Sequence, residues 1–257
     1  MIDVHCHALP GVDDGAQNLA EGLEMLRMAA VDGITAAVIT PHLNPSVRWE
    51  ARLESIKNAF ADFQGKAAEA IPAIRLHLAA EVMMGPEIIN MIGGGFMPWI
   101  GRWEGARVFL MEFPPDIIPT GSVNLAQKAG ELGAAPLIAH PERNLEIQGD
   151  IEKLAPLMEA GCLLQVTSGS LTGQFGKEAY MAAAAIIKKG WAHFLATDSH
   201  DARYRRPDLS AGVAMAGRIA GADFARDMVT TFPGRLIKDN GFGQAGAYGA
   251  KSVDIAV

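Results

Sequence analysis

The sequence predicts an α/β fold, a TIM-barrel-like βα barrel of about seven strands. Three observations carry this reading. Short apolar runs alternate with helix-period segments along most of the chain, as βα units around a parallel sheet require. The runs number about seven, which favours a closed barrel over an open sheet. Metal-ligating residue types stand at the ends of most of those runs, and strand ends are where a βα barrel keeps its chemistry.

The strand-like runs lie near residues 2–6, 34–40, 74–80, 107–112, 135–139, 162–167 and 192–197. Helical segments lie between them, near 19–32, 50–69, 121–133, 151–160, 177–190 and 208–231. Asn18-Leu-Ala-Glu21 reads as a capping-box variant at the first helix, which ends before Gly33. Residues 177–190 are rich in alanine and finish in Lys188-Lys-Gly190, and basic residues followed by glycine suit a helix C-terminus. The stretch 85–106, with Gly93-Gly-Gly95, Met97-Pro98 and Trp99, fits a short helix and a loop rather than a full βα unit. One catalytic barrel is expected over residues 1–240, followed by a glycine-rich tail over 241–257.

Composition narrows the class. The chain has 257 residues, 49% of them hydrophobic and 20% charged, in the range of ordinary soluble enzymes. A net charge of −7 argues against a nucleic-acid partner. A small anionic substrate remains compatible, because metals and a few arginines outweigh the global charge locally. Two cysteines make no disulfide framework. No charged leader precedes an apolar segment, and no uncharged apolar run reaches roughly 18 residues. These features predict a soluble cytoplasmic protein without membrane insertion.

The metal-type residues are specific in their placement. His5 and His7 share one face of a strand while Cys6 takes the other, so two imidazoles can meet one ion. The acidic loop Gly11-Val-Asp13-Asp14-Gly15 follows, with Asp14 the expected ligand and Asp13 expected as a turn residue. His42 leaves its run through Thr40-Pro41, and His140 opens His140-Pro-Glu-Arg143-Asn144. Glu81 and Glu112 each cap an apolar run. A carboxylate can bridge two metals and a neutral imidazole cannot, which makes Glu81 the expected bridge. Asp198 and His200 present a carboxylate and an imidazole on one face. His77 and His193 lie inside apolar runs and read as satisfied core histidines. Arg143 and Arg205 follow ligand positions and suit a phosphate, onto which a guanidinium forks. Arg203 reads as a surface residue.

Three motifs fail on inspection. A cysteine phosphatase needs arginine six residues past its cysteine, where Cys6 has Val12 and Cys162 has Ser168. Gly173-Gln-Phe-Gly176-Lys177 has the wrong spacing for a phosphate loop, and Glu178 stands where Ser or Thr is needed. Gly241-Phe-Gly-Gln-Ala-Gly246 fits a dinucleotide fingerprint only literally, because it lies in the tail and not in a βαβ unit.

The segments His5-Cys-His7-Ala-Leu-Pro-Gly-Val-Asp-Asp14-Gly15, Thr40-Pro-His42, Leu110-Met-Glu112-Phe-Pro114, Ala139-His140-Pro-Glu-Arg143-Asn144, Gln165 to Gly176 and Ala196-Thr-Asp198-Ser-His200 resemble the PHP (polymerase and histidinol phosphatase) superfamily. Within it they are similar to the bacterial capsular-polysaccharide tyrosine phosphatases of the CpsB/CapC/YwqE type, over about residues 1–210. The resemblance implies a distorted seven-stranded barrel and two or three divalent ions, often manganese, with iron, zinc, cobalt or magnesium as other candidates. It implies hydrolysis of phosphotyrosine on a membrane-linked tyrosine autokinase that controls exopolysaccharide chain length. By position, His5, His7, Glu81 and Asp198 would hold one ion. Glu81, Glu112 and His140 would hold a second, and Asp14, His42 and His200 a third. Arg143 matches a phosphate-binding arginine, and a second falls on Arg205 or its neighbour Arg206. The stretch Leu43-Asn-Pro-Ser-Val-Arg-Trp49 departs from the family's basic or aromatic run.

Three other readings compete. One is a phosphatase of the same superfamily acting on a small molecule such as histidinol phosphate. Another is an amidohydrolase, which also begins with His-x-His but uses a carboxylated lysine where this chain offers Glu81 and Glu112. The third is a metal-stabilised regulatory module without catalysis.

Overall fold

The computed structural model describes residues 1–238. Ten strands are formed among them: β1 (Ile2–Cys6), β2 (Ala36–Ile39), β3 (His42–Leu43), β4 (Arg75–Leu78), β5 (Glu81–Met83), β6 (Gly101–Trp103), β7 (Ala106–Glu112), β8 (Ala134–Ala139), β9 (Leu163–Thr167) and β10 (Phe194–Ala196). All pair in parallel except β6, a short antiparallel strand beside the start of β7. All seven sequence runs form strands, and two of them are continued past a break by a second short strand.

Those breaks define the barrel. β2 pairs with β1 and β4, whereas its continuation β3 pairs with β5, which runs on to β7, β8, β9 and β10. Pro41 lies between β2 and β3 and has no N–H for a ladder, so the chain steps from one sheet to the other there. Ala79-Ala80 makes the matching step between β4 and β5. His42 stands opposite Glu81 in the same register that pairs Ile39 with Leu78 before the step. Both residues are therefore the first of new short strands, not residues trailing old ones. With β2/β3 and β4/β5 each counted as one stave, seven staves close a ring. Closure runs from Asp198 N–H to the His5 carbonyl and from His7 N–H to the Ser199 carbonyl, each at 2.8 Å.

Side chains sort into two apolar layers. Val4, Val38, Leu110, Leu137, Phe194 and Ala196 belong to the smaller cluster, inside the barrel. Met111, Ile138, Val166 and Leu195 belong to the larger one, between barrel and helices. Neighbours along a strand alternate between the layers, as pleating requires. β1 breaks this rule. Val4 faces inward and Cys6 outward although they stand two positions apart, because the pairing with β2 shifts register between Asp3 and Cys6. The irregularity turns His5 toward the barrel mouth.

Helices deviate from the sequence reading where backbone chemistry intervenes. The segment expected near 208–231 is two helices, Ser210–Ala220 and Ala222–Asp227, with Gly221 at φ 95° ending the first, and a further helix, Thr231–Ile237, follows it. The segment near 151–160 starts as a 3₁₀ turn at Ile151–Leu154 before Ala155–Glu159. The first helix, Leu19–Val31, has the expected cap: Asn18 accepts from Glu21 N–H. Glu21 reaches back to Gln17 N–H at 2.9 Å and not to the cap residue itself. The irregular stretch holds the expected short helix, Glu87–Gly93, together with β6, which was not anticipated. His77 and His193 are half-buried rather than core residues. The boundary expected at residue 240 and the tail beyond it lie outside the described residues.

Asp3 ties the ring shut from within. Its buried carboxylate accepts from Thr197 N–H at 3.0 Å, Thr197 Oγ1 at 2.5 Å and His5 N–H at 3.3 Å. Burial outweighs these bonds and pushes its pKa up to about 6. Asp3→Ala strands the Thr197 donors in a dry site and is expected to cost about 2–3 kcal/mol, a drop of roughly 5–10 °C in Tm. Asp3→Asn keeps the acceptor and should lose less than half of that. Equal melting temperatures for the two variants, read by thermal unfolding, would contradict the role.

Candidate metal centre

The expected ligands arrive from six of the seven staves and one loop. His5 and His7 come from the end of β1, His42 and Glu81 from the starts of β3 and β5, and Glu112 from the end of β7. His140 follows β8, and Asp198 and His200 follow β10. Asp14 comes over the top on the acidic loop. That loop folds tightly because of Gly15: a Cβ there would lie 2.1 Å from the His7 carbonyl oxygen. Two ligands sit on left-handed backbone, His140 at φ 29° and Asp198 at φ 49°, a conformation that costs energy in any residue with a side chain.

The innermost group is a four-donor cage. His5 Nε2 and His7 Nε2 face each other at 3.0 Å. Glu81 Oε2 lies 3.3 and 3.4 Å from them, and Asp198 Oδ1 lies 3.4 and 3.5 Å away. Four donors around one ion, with bonds of about 2.1 Å, stand roughly 3 to 3.5 Å apart, so the cage has the size a divalent metal needs. The tautomers fit as well. His5 Nδ1 pairs with Gln165 Oε1 at 2.8 Å, and His7 Nδ1 with Asp13 Oδ2 at 2.8 Å. With each Nδ1–H donated outward, both Nε2 lone pairs point into the cage.

Around the cage the donors are shared. Glu81 Oε1 meets His140 Nε2 at 2.9 Å, and Glu81 Oε2 meets His42 Nδ1 at 3.1 Å. Glu112 lies 3.6 Å from His42 and 3.8 Å from His140. Asp14 Oδ1 lies 3.3 Å from His42 Nε2 and 3.4 Å from His200 Nε2. All nine expected ligands thus converge. Four overlapping sets could each hold an ion: His5, His7 and Asp198; His5, Glu81 and His140; His42, Glu81 and Glu112; and His7, Asp14, His42 and His200. His42 reaches two sets through its two nitrogens, where the sequence reading gave it one.

Orphaned atoms test the fit. Glu81 Oε2, Asp198 Oδ1 and His200 Nε2 are buried without a hydrogen-bond partner among the described residues, and all three point into the cluster. Buried polar atoms are normally satisfied, so three orphans around one point fit a cation. The charges agree. Burial alone would keep His5 neutral, but Glu81 and Asp198 hold its pKa up to about 9. Burial also opposes charge on His42, and Glu81, Glu112 and Asp14 raise it to about 9. Burial and the His7 imidazole push His200 down to about 3, leaving a neutral ligand. Burial and the nearby Glu81 charge raise Glu112. Asp13 is held down at about 2, because its bonds to His7, Gly15 and His42 outweigh its burial.

Both expected arginines reach the cage from one side. Arg143 Nη1 and Arg205 Nη2 donate to the same oxygen, Asp198 Oδ2, the latter at 2.5 Å. Arg205 also donates to the Asp198 carbonyl at 3.1 Å. Arg206 instead lines a separate groove with Glu24, Arg27 and Asp32, so geometry favours Arg205. Arg203 is exposed, as expected.

The sequence reading underrated three residues. Asp13 is no mere turn residue: besides His7 it accepts from His42 N–H at 3.0 Å and so fixes two ligands. Gln165 had no role assigned, although a polar residue inside the apolar run Cys162–Thr167 was a usable signal. Glu142 is fully buried and accepts from Thr167 N–H at 2.9 Å and Ser170 Oγ at 2.7 Å, anchoring the Arg143 turn to the end of β9.

Residues 1–238 match the family model for capsular polysaccharide synthesis, CpsB/CapC. The chain belongs to the CpsB/CapC family. Among its relatives, the tyrosine-protein phosphatase YwqE of Bacillus subtilis is 35% identical over 210 residues, 80% of this chain and 79% of that protein. The putative tyrosine-protein phosphatase CapC of Staphylococcus aureus is 32% identical over 200 residues, 78% of this chain and 77% of that one. The fold also matches a chain from the crystal structures of YwqE from B. subtilis and CpsB from Streptococcus pneumoniae, described as unique metal-dependent tyrosine phosphatases. That match has a TM-score of 0.83 at 29% identity and covers 93% of this chain and 94% of the other. Among the described residues, no helix is long and apolar enough to cross a membrane.

Two predictions follow from the geometry of this CpsB/CapC centre. Gln165→Leu keeps the volume but releases the His5 tautomer, and should weaken manganese binding about 10- to 100-fold. An unchanged dissociation constant in a metal titration contradicts the assignment. The cysteines should be dispensable. Cys6 Sγ is buried against the Val38 carbonyl on the outer face of β1. Burial pushes Cys162 up to about 12. Cys6→Ala and Cys162→Ser should keep most of the turnover rate. A loss of several orders of magnitude in a folded Cys6→Ala enzyme with normal metal content would overturn a thiol-free mechanism.

Proposed function

We propose that this chain, a metal-dependent tyrosine-protein phosphatase of the CpsB/CapC family, acts in the cytoplasm on the phosphotyrosines of a bacterial tyrosine autokinase that governs capsular or exopolysaccharide export. The observation that best supports this reading is the two-sided use of Asp198. One of its oxygens faces the His5–His7 pair and the other receives Arg143 and Arg205. A phosphomonoester dianion would meet bound cations and guanidinium groups side by side there, and those are the two elements phosphoryl transfer uses to stabilise charge.

In this reading His5, His7, Glu81 and Asp198 would hold one divalent ion. Glu81, Glu112 and His140 would hold a second, and Asp14, His42 and His200 a third. Manganese is the first choice of metal, with iron, zinc, cobalt and magnesium as the others. Bound ions would supply Lewis-acid polarisation of the phosphoryl oxygens and activation of water near neutral pH. The rest falls to the chain's own residues. Gln165 and Asp13 keep a proton on each Nδ1, so His5 and His7 offer lone pairs at Nε2. Arg143 and Arg205 hold permanent charge and turn their remaining N–H groups toward the equatorial oxygens. The tyrosyl leaving group has a conjugate acid near ~10, so it departs with little protonation. No thiol is placed to attack, and no covalent phosphoenzyme is required.

A substrate panel tests the reading. Purified enzyme is stripped by chelation, checked by elemental analysis, and reloaded with manganese. It is then offered a phosphotyrosine peptide from a tyrosine autokinase, histidinol phosphate and an amide. Turnover should vanish on stripping, return with manganese and favour the peptide. Full turnover in metal-free enzyme sinks the metal chemistry, and a preference for histidinol phosphate sinks the protein substrate.

A further inference from the structure

Phe175 lies against both arginines. Its ring centroid is 4.4 Å from Arg143 Cζ and 5.7 Å from Arg205 Cζ, inside the range of cation–π attraction. The ring is half-buried, in the turn between the short helix Ser168–Leu171, which follows β9, and the helix Gly176–Lys188. This loop is built to hold it there. Gly169 has no Cβ, and a Cβ would meet Gln174 Oε1 at 2.4 Å and Phe175 Cε2 at 2.8 Å. Gln174 N–H bonds the Gly169 carbonyl at 2.9 Å. The Gln174 side-chain amide donates to the Tyr204 carbonyl at 2.6 Å, tying the loop to the one that bears Arg205. Asp201 fixes the backbone of that second loop by accepting from Arg203, Tyr204 and Arg205 N–H.

The two guanidinium groups need such a hold. They carry like charge and donate to one carboxylate oxygen, Asp198 Oδ2. Their side chains are 27% and 24% exposed, so solvent competes for them. Arg205 Nε is buried and has no hydrogen-bond partner among the described residues, a donor left over for an anion. An aromatic face attracts both cations without consuming any N–H group. A carboxylate in its place would bind the charges harder, but would occupy the donors a phosphate must use.

We infer that Phe175 is a positioning residue that holds Arg143 and Arg205 in a shared orientation for the phosphoryl group. The inference rests on the reading of those arginines as phosphate donors. It predicts a defect in phosphate recognition at full metal content, and recovery with any flat aromatic ring but not with an aliphatic chain of similar bulk.

The test uses the manganese-loaded enzyme and four variants: Phe175→Leu, Phe175→Trp, the double variant Arg143→Ala/Arg205→Ala, and that double variant with Phe175→Leu added. Three quantities are read: kcat/KM for a phosphotyrosine peptide, the inhibition constant of inorganic phosphate, and bound metal. Phe175→Leu should bind metal normally, raise the phosphate inhibition constant about 10-fold and lower kcat/KM by a similar factor. Phe175→Trp should recover most of both. The arginine double variant should lose on the order of 10²-fold or more in kcat/KM, as when donors aimed at developing charge are removed. Adding Phe175→Leu to it should change little, because the ring then has nothing to hold. Wild-type constants in Phe175→Leu overturn the inference. So does a tryptophan variant as impaired as the leucine one, or an undiminished leucine effect in the arginine-free background. Wild-type phosphate inhibition in the arginine double variant overturns the arginine reading itself, and Phe175 with it. An impaired arginine variant beside a normal Phe175→Leu removes Phe175 alone.

Discussion

A carboxylate with no exposed surface is stable only where positive charge or donors meet it. Glu81 is such a group, with four imidazoles around it: His5, His7, His42 and His140, at 2.9 to 3.4 Å. Burial works against its charge, yet the imidazoles and their hydrogen bonds hold its pKa well below the usual carboxylate range. The compensation is mutual, because the same carboxylate keeps His5 and His42 charged up to about 9. Protons and divalent ions are therefore alternatives for the same positions. On the proposed reading, metal binding at this mouth would release protons, and its affinity would fall as the medium becomes acidic.

That arrangement depends in turn on backbone register. Val38 pairs with His77 and Ile39 with Leu78, and the same register, kept across the break at Pro41 and Ala79-Ala80, sets His42 opposite Glu81 at the barrel mouth. In β1 the register instead shifts, and the shift bears on His5. Parity alone would put His5 and His7 on one face, but which face they take is settled by the register shift between Asp3 and Cys6. The ring then closes through Asp3 and Thr197, one turn below the ligands. Fold closure and site assembly thus use the same few residues at the β1–β10 seam, so a change there should be felt in both.

Much of this was legible in the sequence because the relevant signals are local. All seven apolar runs became strands, and eight of the nine expected ligands stood at or just past a run end, where a barrel opens, with Asp14 on the loop after the first. What escaped the reading was non-local or geometric. The sheet switch at Pro41 could be suspected from one proline, but its partner at Ala79-Ala80 carries no signal, since alanine suits a strand, a helix or a break. The antiparallel strand β6 hid in a Gly- and Pro-rich stretch because three residues are too few for a period to show. The expected helix near 208–231 kept its apolar pattern across Gly221, and only the backbone angle there reveals the break. Gln165 and Asp13 escaped for another reason. Their roles exist only through the histidine on a different stave or loop, and spacing along one chain does not encode that pairing.

Asp198 shows how a single side chain can join two chemistries that sequence motifs list separately. Its left-handed backbone would be costly for a residue with no other duty. In exchange, the carboxylate projects so that Oδ1 faces the histidine pair while Oδ2 collects both arginines. On the proposed function, one carboxylate would thus set the cation cage and the guanidinium groups side by side, so that a phosphoryl group could reach both from one direction. That juxtaposition requires no moving loop, only one side chain shared between two sets of partners.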